Sequence, residues 1–209
     1  MSNVTAVVII DMQNSMFMGP DEYPYLPDET LAAARSVMDR AREAGLPVIH
    51  VQHQHARYEP MQPGHIGFEI HPTVAPIEGE TVIVKRSSDA FDDTALDATL
   101  RDLGVETIVV GGMQTQHCVD TSCRRALGLG YDVILIADGH TTFDTEDLPA
   151  SSIIAHHAAT LADLAHARHE IIVRPSAEIV FEEGRTDLTS LAWGSRTRRG
   201  KGRRAEKDS

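Results

Sequence analysis

Three residues with reactive side chains stand where apolar runs of the sequence end. Asp11 follows the run TAVVII, Lys85 closes the run TVIVK, and Cys118 comes after the run TIVV, a Gly-Gly break and a short polar turn. In open parallel sheets, ligands bind outside the carboxyl ends of the strands, so we expect the three side chains to meet there. A carboxylate, an ammonium and a thiol in contact could perform nucleophilic catalysis. The alternative is an ion pair between Asp11 and Lys85 at the strand ends, with an unrelated cysteine.

The position of Cys118 also predicts its reactivity. The segment CVDTSCRRALGL indicates a helix over residues 118–129, with Cys118 at its first position. The amino end of a helix lowers the pKa of a thiol, so this placement predicts an activated cysteine. A small buried side chain is the alternative, because free cysteines are among the most buried residues.

Strand and helix patterns alternate along the chain. Runs at 5–10, 47–52, 81–85, 105–110, 131–137 and 170–174 are typical of strands, and segments 27–44, 93–103, 118–129 and 149–166 are typical of helices. Glycine follows several of the predicted helices, as at many helix ends. The pattern predicts an α/β fold with a single doubly wound, mostly parallel sheet and helices on both faces. The runs before Asp11 and Lys85 are hydrophobic enough to predict interior strands rather than edge strands.

Composition predicts one domain and an acidic body. The chain has 209 residues, 42% of them hydrophobic, which suits a single core over residues 1–195. Residues 196–209 hold seven Lys or Arg against two acids and are expected to form a disordered, solvated tail, with contact to RNA, an anionic surface or an acidic subunit as the alternative. The net charge of −12 does not favour a nucleic-acid partner.

The cysteine content and the amino-terminal segment bear on localisation. The chain begins without a basic, apolar leader pattern, and no apolar run approaches the length of a membrane span. Cys118 and Cys123 are five residues apart and would face different sides of one helix, so a disulfide between them is not expected. We expect a cytoplasmic protein with no membrane partner.

Four segments in order resemble the isochorismatase-like cysteine hydrolase superfamily, which includes the nicotinamidases. They are VVIIDMQNSMF, VIVKRSSDAF, GGMQTQHCVDTSCRRALGLGYDVILIADGHTTFD and IIAHHAATLADL, within residues 4–174. The resemblance implies a catalytic triad of Asp11, Lys85 and Cys118. It also implies an oxyanion hole from the backbone N–H groups of Gln114 and Cys118, next to a cis peptide bond between Met113 and Gln114. Relatives are often dimers or tetramers, so a homo-oligomer is expected.

Several further residues are predicted to contact a small-molecule substrate. Gln13 and Phe17 follow Asp11, where resembling enzymes place groups near the substrate; Phe17 has a core position as its alternative. Gln114 and His117 precede the nucleophile and could contact the leaving group.

The long loop over residues 53–76 carries four histidines and is expected to cover the site. Nicotinamidases hold a divalent ion with an Asp-x-His pair, but this chain reads His53-Gln54-His55 and lacks the acidic ligand. We therefore expect no metal and no cofactor, and we assign His53 and His55 to substrate contact. The paired His156 and His157 would face different directions on a helix, which favours packing or a subunit contact over catalysis.

The sequence supports three hypotheses about function. The first is a cysteine amidohydrolase that cleaves a C–N bond of a small amide, ureide or lactam-type metabolite through a thioester on Cys118. The second is hydrolysis of a vinyl ether, as in isochorismatase, which needs no thiol nucleophile. The third is a non-hydrolytic role in ligand binding or redox sensing.

Overall fold

The computed structural model describes residues 4–18, 23–182 and 185–186. Six strands form one parallel sheet in the order β3-β2-β1-β4-β5-β6. The strands are β1 (Val4–Ile10), β2 (Val48–His53), β3 (Thr81–Lys85), β4 (Val105–Met113), β5 (Asp132–Thr141) and β6 (Ile171–Arg174), and a separate antiparallel pair joins β7 (Phe181–Glu182) to β8 (Arg185–Thr186). The helices are α1 (Pro27–Glu43), α2 (Leu96–Asp102), α3 (Asp120–Leu129) and α4 (Ala150–Ala162). The predicted tail at 196–209, and the domain boundary at 195, lie outside the described residues.

Helices cover both faces of the sheet, as the sequence predicts. One hydrophobic cluster joins α2, α3 and the end of α4 to side chains such as Val8 and Ile10 of β1. A second cluster joins α1 to the opposite face, where Val7 and Ile9 of the same strand point. Because successive side chains of a strand point to opposite faces, β1 is buried on both sides in a three-layer α/β arrangement.

Strand β3 lies at the edge of the sheet, so the prediction of an interior position for it is wrong. It pairs with β2 on one side, and its burial alternates, with Val82 and Val84 42% and 39% exposed. Ile83 and Lys85 face inward. The run TVIVK is apolar on both faces, so hydrophobicity alone does not distinguish an edge strand from a central one.

The largest difference in element boundaries concerns the cysteine segment. A single π-helical turn, Thr115–Val119, precedes α3, so Cys118 does not occupy the first position of the α-helix. Strands β4 and β5 run to Met113 and Thr141, past the glycine break that was expected to end β4. An irregularity in the pairing of β4 with β5 between Val110 and Gly112 accommodates the extra length.

Two smaller differences are shorter helices. Helix α2 starts at Leu96 because the residues before it form turns, with Asp93 at φ 51°. Helix α4 ends at Ala162 rather than 166, and a loop connects it to β6. In the part of the chain that the structure describes, none of the helices has the length and apolar character needed to cross a membrane.

Candidate active site

Asp11, Lys85 and Cys118 meet at the carboxyl edge of the sheet. The Lys85 ammonium lies 2.7 Å from Asp11 Oδ2 and 3.1 Å from Cys118 Sγ. Asp11 and Lys85 are each only 1% exposed, whereas Cys118 is partly exposed. The three side chains that the sequence indicated are therefore close together, and the cysteine is the most exposed of them.

The sheet order explains how these groups meet. Asp11 follows β1, and Lys85 ends β3, with β2 between the two strands. Asp11 has a left-handed backbone conformation, φ 55°, which is uncommon outside glycine and marks a tight change of direction at the strand end. Lys85 is paired in register with His53, the last residue of β2, so its side chain crosses the end of β2 to reach Asp11.

The Lys85 ammonium has more acceptors than hydrogens. Besides Asp11 and Cys118, it lies 3.0 Å from His53 Nδ1 and 2.9 Å from the Ser87 carbonyl oxygen. An ammonium has three donors, so four neighbours share them. Burial is the largest cause, and the charge of Lys85 the next, of a pKa of His53 that is lowered to about 4. The imidazole is therefore neutral, and Nδ1 can accept a hydrogen bond from Lys85. His53 thus contacts the triad lysine directly.

The thiol of Cys118 is not activated in the resting site, contrary to the sequence prediction. Burial is the largest cause, and the negative charge of Asp11 the next, of a pKa of Cys118 that is raised to about 12; Lys85 opposes this shift. Burial also raises the pKa of Asp11. The physical reason is that removal from water penalises the charged form of an acid, and here this penalty exceeds the stabilisation by one ammonium.

One Asp11 oxygen is available for proton transfer. Oδ2 contacts Lys85, whereas the buried Oδ1 has no hydrogen-bond partner among the described residues. A carboxylate oxygen of Asp11 lies within 4.8 Å of Cys118 Sγ. A protonated thiol beside a buried carboxylate with a free lone pair can transfer its proton when an electrophile arrives.

The same groups do not form a suitable metal site. Donor atoms of Asp11, His53 and Cys118 lie within 4.8 Å of one another, a spacing that a metal ion could use. The Lys85 ammonium, however, contacts all three residues at 2.7 to 3.1 Å and occupies the position of a cation between them. His55 Nδ1 accepts from the backbone N–H groups of Arg57 and Tyr58. The donor set therefore does not fit the divalent ion of nicotinamidases.

A cavity of about 610 Å³ opens above the triad. It is lined by Asp11, Met16, His53, His55, Ala56, Arg57, Tyr58, Met61, Arg86, Ser87, Ser88, Gln114, His117 and Cys118. Four residues that were predicted to contact substrate, His53, His55, Gln114 and His117, are among them. The volume lies in the range of small-molecule sites.

Gln13 and Phe17 do not line this cavity, although both lie within the described residues. The Gln13 side chain donates to the carbonyl oxygens of His53 and Phe68 and accepts from the His53 N–H, so it fastens the long loop to the end of β1. Phe17 packs in the core beneath the loop, with its ring 5.1 Å from that of His71. A 3-10 turn at Asn14–Met16 turns the chain so that Met16 lines the cavity instead.

Sequence reasoning missed Arg57, Arg86 and Met61 as lining residues. Arg86 directly follows Lys85 and so leaves the same strand end, which was a usable signal. Arg57 and Met61 belong to the long loop that was expected to cover the site. Nothing in their spacing indicated which loop side chains would point into the cavity.

The peptide bond between Met113 and Gln114 is cis, as the resemblance implies. It lies just after Gly112, whose φ is 139° and where a Cβ atom would overlap the Ile10 carbonyl of β1. Thr115 then hydrogen-bonds through Oγ1 to Nδ1 of the buried His140, at 2.9 Å. The turn that carries Gln114 and Cys118 is therefore held by backbone and side-chain contacts on both sides.

The paired histidines of α4 lie outside the cavity. His157 Nδ1 is 2.9 Å from Asp120 Oδ1, and Asp120 also forms an ion pair with Arg124. His156 is exposed and packs edge-on against His157, with ring centroids 5.3 Å apart. His157 thus connects α4 to α3, which agrees with the packing interpretation.

Comparison with known proteins supports a single family. The isochorismatase domain model matches residues 5–166. An uncharacterized isochorismatase family protein of Bacillus subtilis is 34% identical over 160 residues, which cover 74% of this chain and 88% of the relative. A streptothricin hydrolase of Streptomyces noursei is 34% identical over 85% of this chain and 71% of its own length. This chain is 32% identical to a second streptothricin hydrolase of the same organism and covers 65% of that protein's length.

Solved structures agree with these matches. An isochorismatase from Pseudomonas putida superposes with a TM-score of 0.75 at 32% identity, covering 85% of this chain and 91% of the other. N-carbamoylsarcosine amidase from Thermoplasma acidophilum superposes with a TM-score of 0.68 at 25% identity, covering 84% and 96%. The matched domain, the parallel sheet and the cluster of Asp11, Lys85 and Cys118 all point to one family. This chain belongs to the isochorismatase family of hydrolases.

Proposed function

We propose that this hydrolase is a cysteine amidohydrolase that cleaves a C–N bond of a small amide, ureide or lactam-type metabolite. The observation that carries the proposal is the contact of one buried ammonium, that of Lys85, with both the Asp11 carboxylate and the Cys118 sulfur beneath an open cavity. Relatives named streptothricin hydrolase and N-carbamoylsarcosine amidase support hydrolytic chemistry of this general kind.

The first half of the reaction forms a thioester. Asp11 accepts the thiol proton of Cys118 as the sulfur attacks the carbonyl carbon, and Lys85 stabilises the thiolate as its charge develops. The carbonyl oxygen becomes an oxyanion, for which the backbone N–H groups of Gln114 and Cys118 are the proposed donors. When the C–N bond breaks, the proton on Asp11 passes to the nitrogen, which leaves as ammonia or an amine or, in a lactam, stays attached to the acyl group as the freed amine.

The second half returns the enzyme to its starting state. A water molecule gives a proton to Asp11 and its oxygen attacks the thioester carbonyl. The C–S bond then breaks, Asp11 returns the proton to the sulfur, and the acyl group leaves as a carboxylic or carbamic acid. The raised pKa of Asp11 suits this role, because a carboxylate with a higher proton affinity is a stronger base. Since the cluster begins with one anion, one cation and a neutral thiol, no net charge is buried at rest.

A panel of small primary amides, ureides and lactams tests the proposal, with ammonia or amine release as the measurement. Cys118→Ala is expected to lower turnover by at least about a thousandfold, because the nucleophile is lost. Asp11→Asn should have a comparable effect. Rapid acid quenching and intact-protein mass spectrometry should show the acyl group on the wild-type chain and not on Cys118→Ala.

Cys123 offers a matched control. It is the second free thiol of the described residues, fully buried in the core, and its pKa is raised by burial. Cys123→Ala should keep turnover and thioester formation. Full turnover of the panel by Cys118→Ala would contradict a thiol mechanism. Hydrolysis of a vinyl ether by both the wild type and Cys118→Ala would favour acid catalysis, as in isochorismatase.

The raised pKa of the Cys118 thiol disfavours the redox-sensing alternative. Oxidation-sensitive cysteines have low pKa values and exist largely as thiolates. The pKa of Cys118 is raised to about 12 by burial and by Asp11. The resting sulfur is therefore a poor target for mild oxidants.

A further inference from the structure

The charges around the cavity point to the chemical class of the substrate. Asp11 is the single carboxylate among the lining residues, and its charge is balanced by Lys85. Arg57, Arg86, His55 and His117 also line the cavity, and the chain as a whole carries a formal charge of −12. The cavity is thus locally rich in cationic and proton-donating groups within an acidic protein, which attracts anions to this one place on its surface.

The two cavity arginines differ from most other arginines in the described part of the chain. Six arginines form ion pairs with carboxylates there: Arg35, Arg42, Arg101, Arg124, Arg125 and Arg174. Arg40 donates to two backbone carbonyl oxygens and to Ser36. Neither Arg57 nor Arg86 has a carboxylate partner among the described residues, so both guanidinium groups are open to a ligand.

The lining residues differ in burial, which indicates how a ligand would be oriented in the cavity. Asp11 and Lys85 lie at the buried end with Cys118, whereas Arg57 and Arg86 are exposed at the solvent side. Met16 and Met61 provide apolar surface in the same lining. A molecule with its amide at the sulfur would extend from the buried groups toward the exposed arginines within a cavity that also offers apolar surface.

We propose that the site takes small amides whose end remote from the scissile bond carries a carboxylate, and that Arg57 and Arg86 bind that carboxylate. The planar guanidinium fork matches a carboxylate and can donate two parallel hydrogen bonds to it. This inference rests on the proposed amidohydrolase function, which it makes more specific.

The test uses three amides of similar length that differ in charge: succinamate, succinamide and 4-aminobutanamide. We expect kcat/KM for ammonia release to be highest for succinamate and lowest for the cationic 4-aminobutanamide. Arg57→Ala and Arg86→Ala should each lower the preference for succinamate over succinamide by about tenfold, mainly through KM, because a charge-assisted hydrogen bond is lost.

Arg168 provides a matched control for charge. It is exposed, has no ion pair among the described residues and is absent from the cavity lining. Arg168→Ala removes the same formal charge and should leave the kinetics of all three amides unchanged. If Arg168→Ala lowered the preference as much as the cavity variants, a general effect of net charge would replace the proposed contact.

A binding measurement separates this inference from the proposed function. Calorimetric titration of the Cys118→Ala protein with the same three amides reports charge preference without turnover. Preferential binding of succinamate that is lost in Arg57→Ala and Arg86→Ala, without turnover by the wild type, would uphold the anion site and contradict the amidohydrolase proposal. Turnover with equal or better use of the neutral or cationic amide would overturn the anion site alone, as would failure of succinamate to bind.

Discussion

At the scale of single residues, opposing neighbours set the protonation state of the Cys118 sulfur. Its neighbours act in opposite directions: Lys85 favours the thiolate, whereas burial and Asp11 disfavour it, and the balance keeps the proton on sulfur. In the proposed reaction, Cys118 stays protonated until a carbonyl group excludes water and attack is coupled to proton transfer. The cysteine then gains its reactivity from the substrate-bound state rather than from the free enzyme.

This balance predicts that Asp11→Asn makes the Cys118 thiol more acidic but lowers turnover. The substitution removes the anion that raises the pKa of Cys118 but keeps Lys85 at 3.1 Å from the sulfur. The midpoint for thiolate formation should fall by about one to three pH units, while turnover falls because no base remains. Ultraviolet absorbance of the thiolate during a pH titration measures the midpoint, and the Cys118→Ser protein provides the baseline for Cys123. An unchanged or higher midpoint would contradict the assigned role of Asp11.

Residue types predicted the triad but could not predict this acid–base state. The strand-end positions of Asp11, Lys85 and Cys118 indicated that they could meet, and the family resemblance selected them as a set over an Asp11–Lys85 ion pair with an unrelated cysteine. The pKa of Cys118 depends on its burial against the core and on its distances to two charges, and a single sequence specifies neither. A helix-start argument predicted a lowered pKa, but the structure gives a raised one, because desolvation of the thiol and the charge of Asp11 exceed the effect of Lys85.

At the scale of elements, an ion-pair network holds the edge strand that carries Lys85. Glu80, at the start of β3, accepts two hydrogen bonds from the Arg42 guanidinium of α1 and contacts Nε2 of the buried His50 in β2 at 2.9 Å. The Glu80 side chain is 9% exposed and that of Arg42 is 14% exposed. Since β3 has a strand on one side only, this network supplies side-chain contacts at the end opposite Lys85.

The network predicts a pH-dependent loss of stability in Glu80→Gln. Burial alone would raise the pKa of Glu80, but hydrogen bonds from Arg42, the Ile77 N–H and His50 lower it to about 2, below its ordinary value of 4.5. A depressed folded-state pKa stabilises the fold above pH 4.5, and this contribution is lost as the pH falls through about 2. Glu80→Gln should therefore lower the free energy of unfolding by roughly 1–3 kcal/mol at neutral pH, and by less at pH 3. Urea denaturation at both pH values measures the difference.

The neighbouring Glu78 is the control for that experiment. It is exposed, and it has no ion pair among the described residues. Glu78→Gln should change the free energy of unfolding by less than about 0.5 kcal/mol at either pH. A Glu80→Gln effect of equal size at pH 7 and pH 3 would show that the lost contribution is not electrostatic.

The order of the strands and helices was predictable from the sequence, whereas the residues at which they begin and end were not. Alternating apolar runs and glycine-ended helices gave the six strands and four helices, because periodicity and helix stops are local signals. The edge position of β3 depends on which strands pair, and the extension of β4 to Met113 depends on its irregular pairing with β5. Gln13 and Phe17 were misassigned for a similar reason, since a short 3-10 turn decides which side of the loop each faces.

For the whole molecule, the distribution of charge separates the site from its surroundings. The chain is acidic overall, yet the described cavity combines cationic side chains with one neutralised carboxylate. The remaining concentration of positive charge in the sequence is the segment 196–209, outside the described residues. Cavity and segment could both attract an anionic substrate, so their contributions must be measured separately.

Removal of residues 196–209 is expected to change kcat/KM by no more than about twofold, because the triad and every lining residue of the cavity lie between residues 11 and 118. The segment has a single apolar residue, Ala205, so it has little surface to bury against the domain. Steady-state kinetics at low and physiological ionic strength, together with the midpoint of thermal unfolding, measure the effect. The control is the full-length chain with its seven Lys and Arg of that segment changed to Gln, which removes the charge and keeps the length. A loss of about tenfold or more in both proteins, confined to low ionic strength, would assign the segment a role in attracting the substrate and would contradict the expectation of an inert tail.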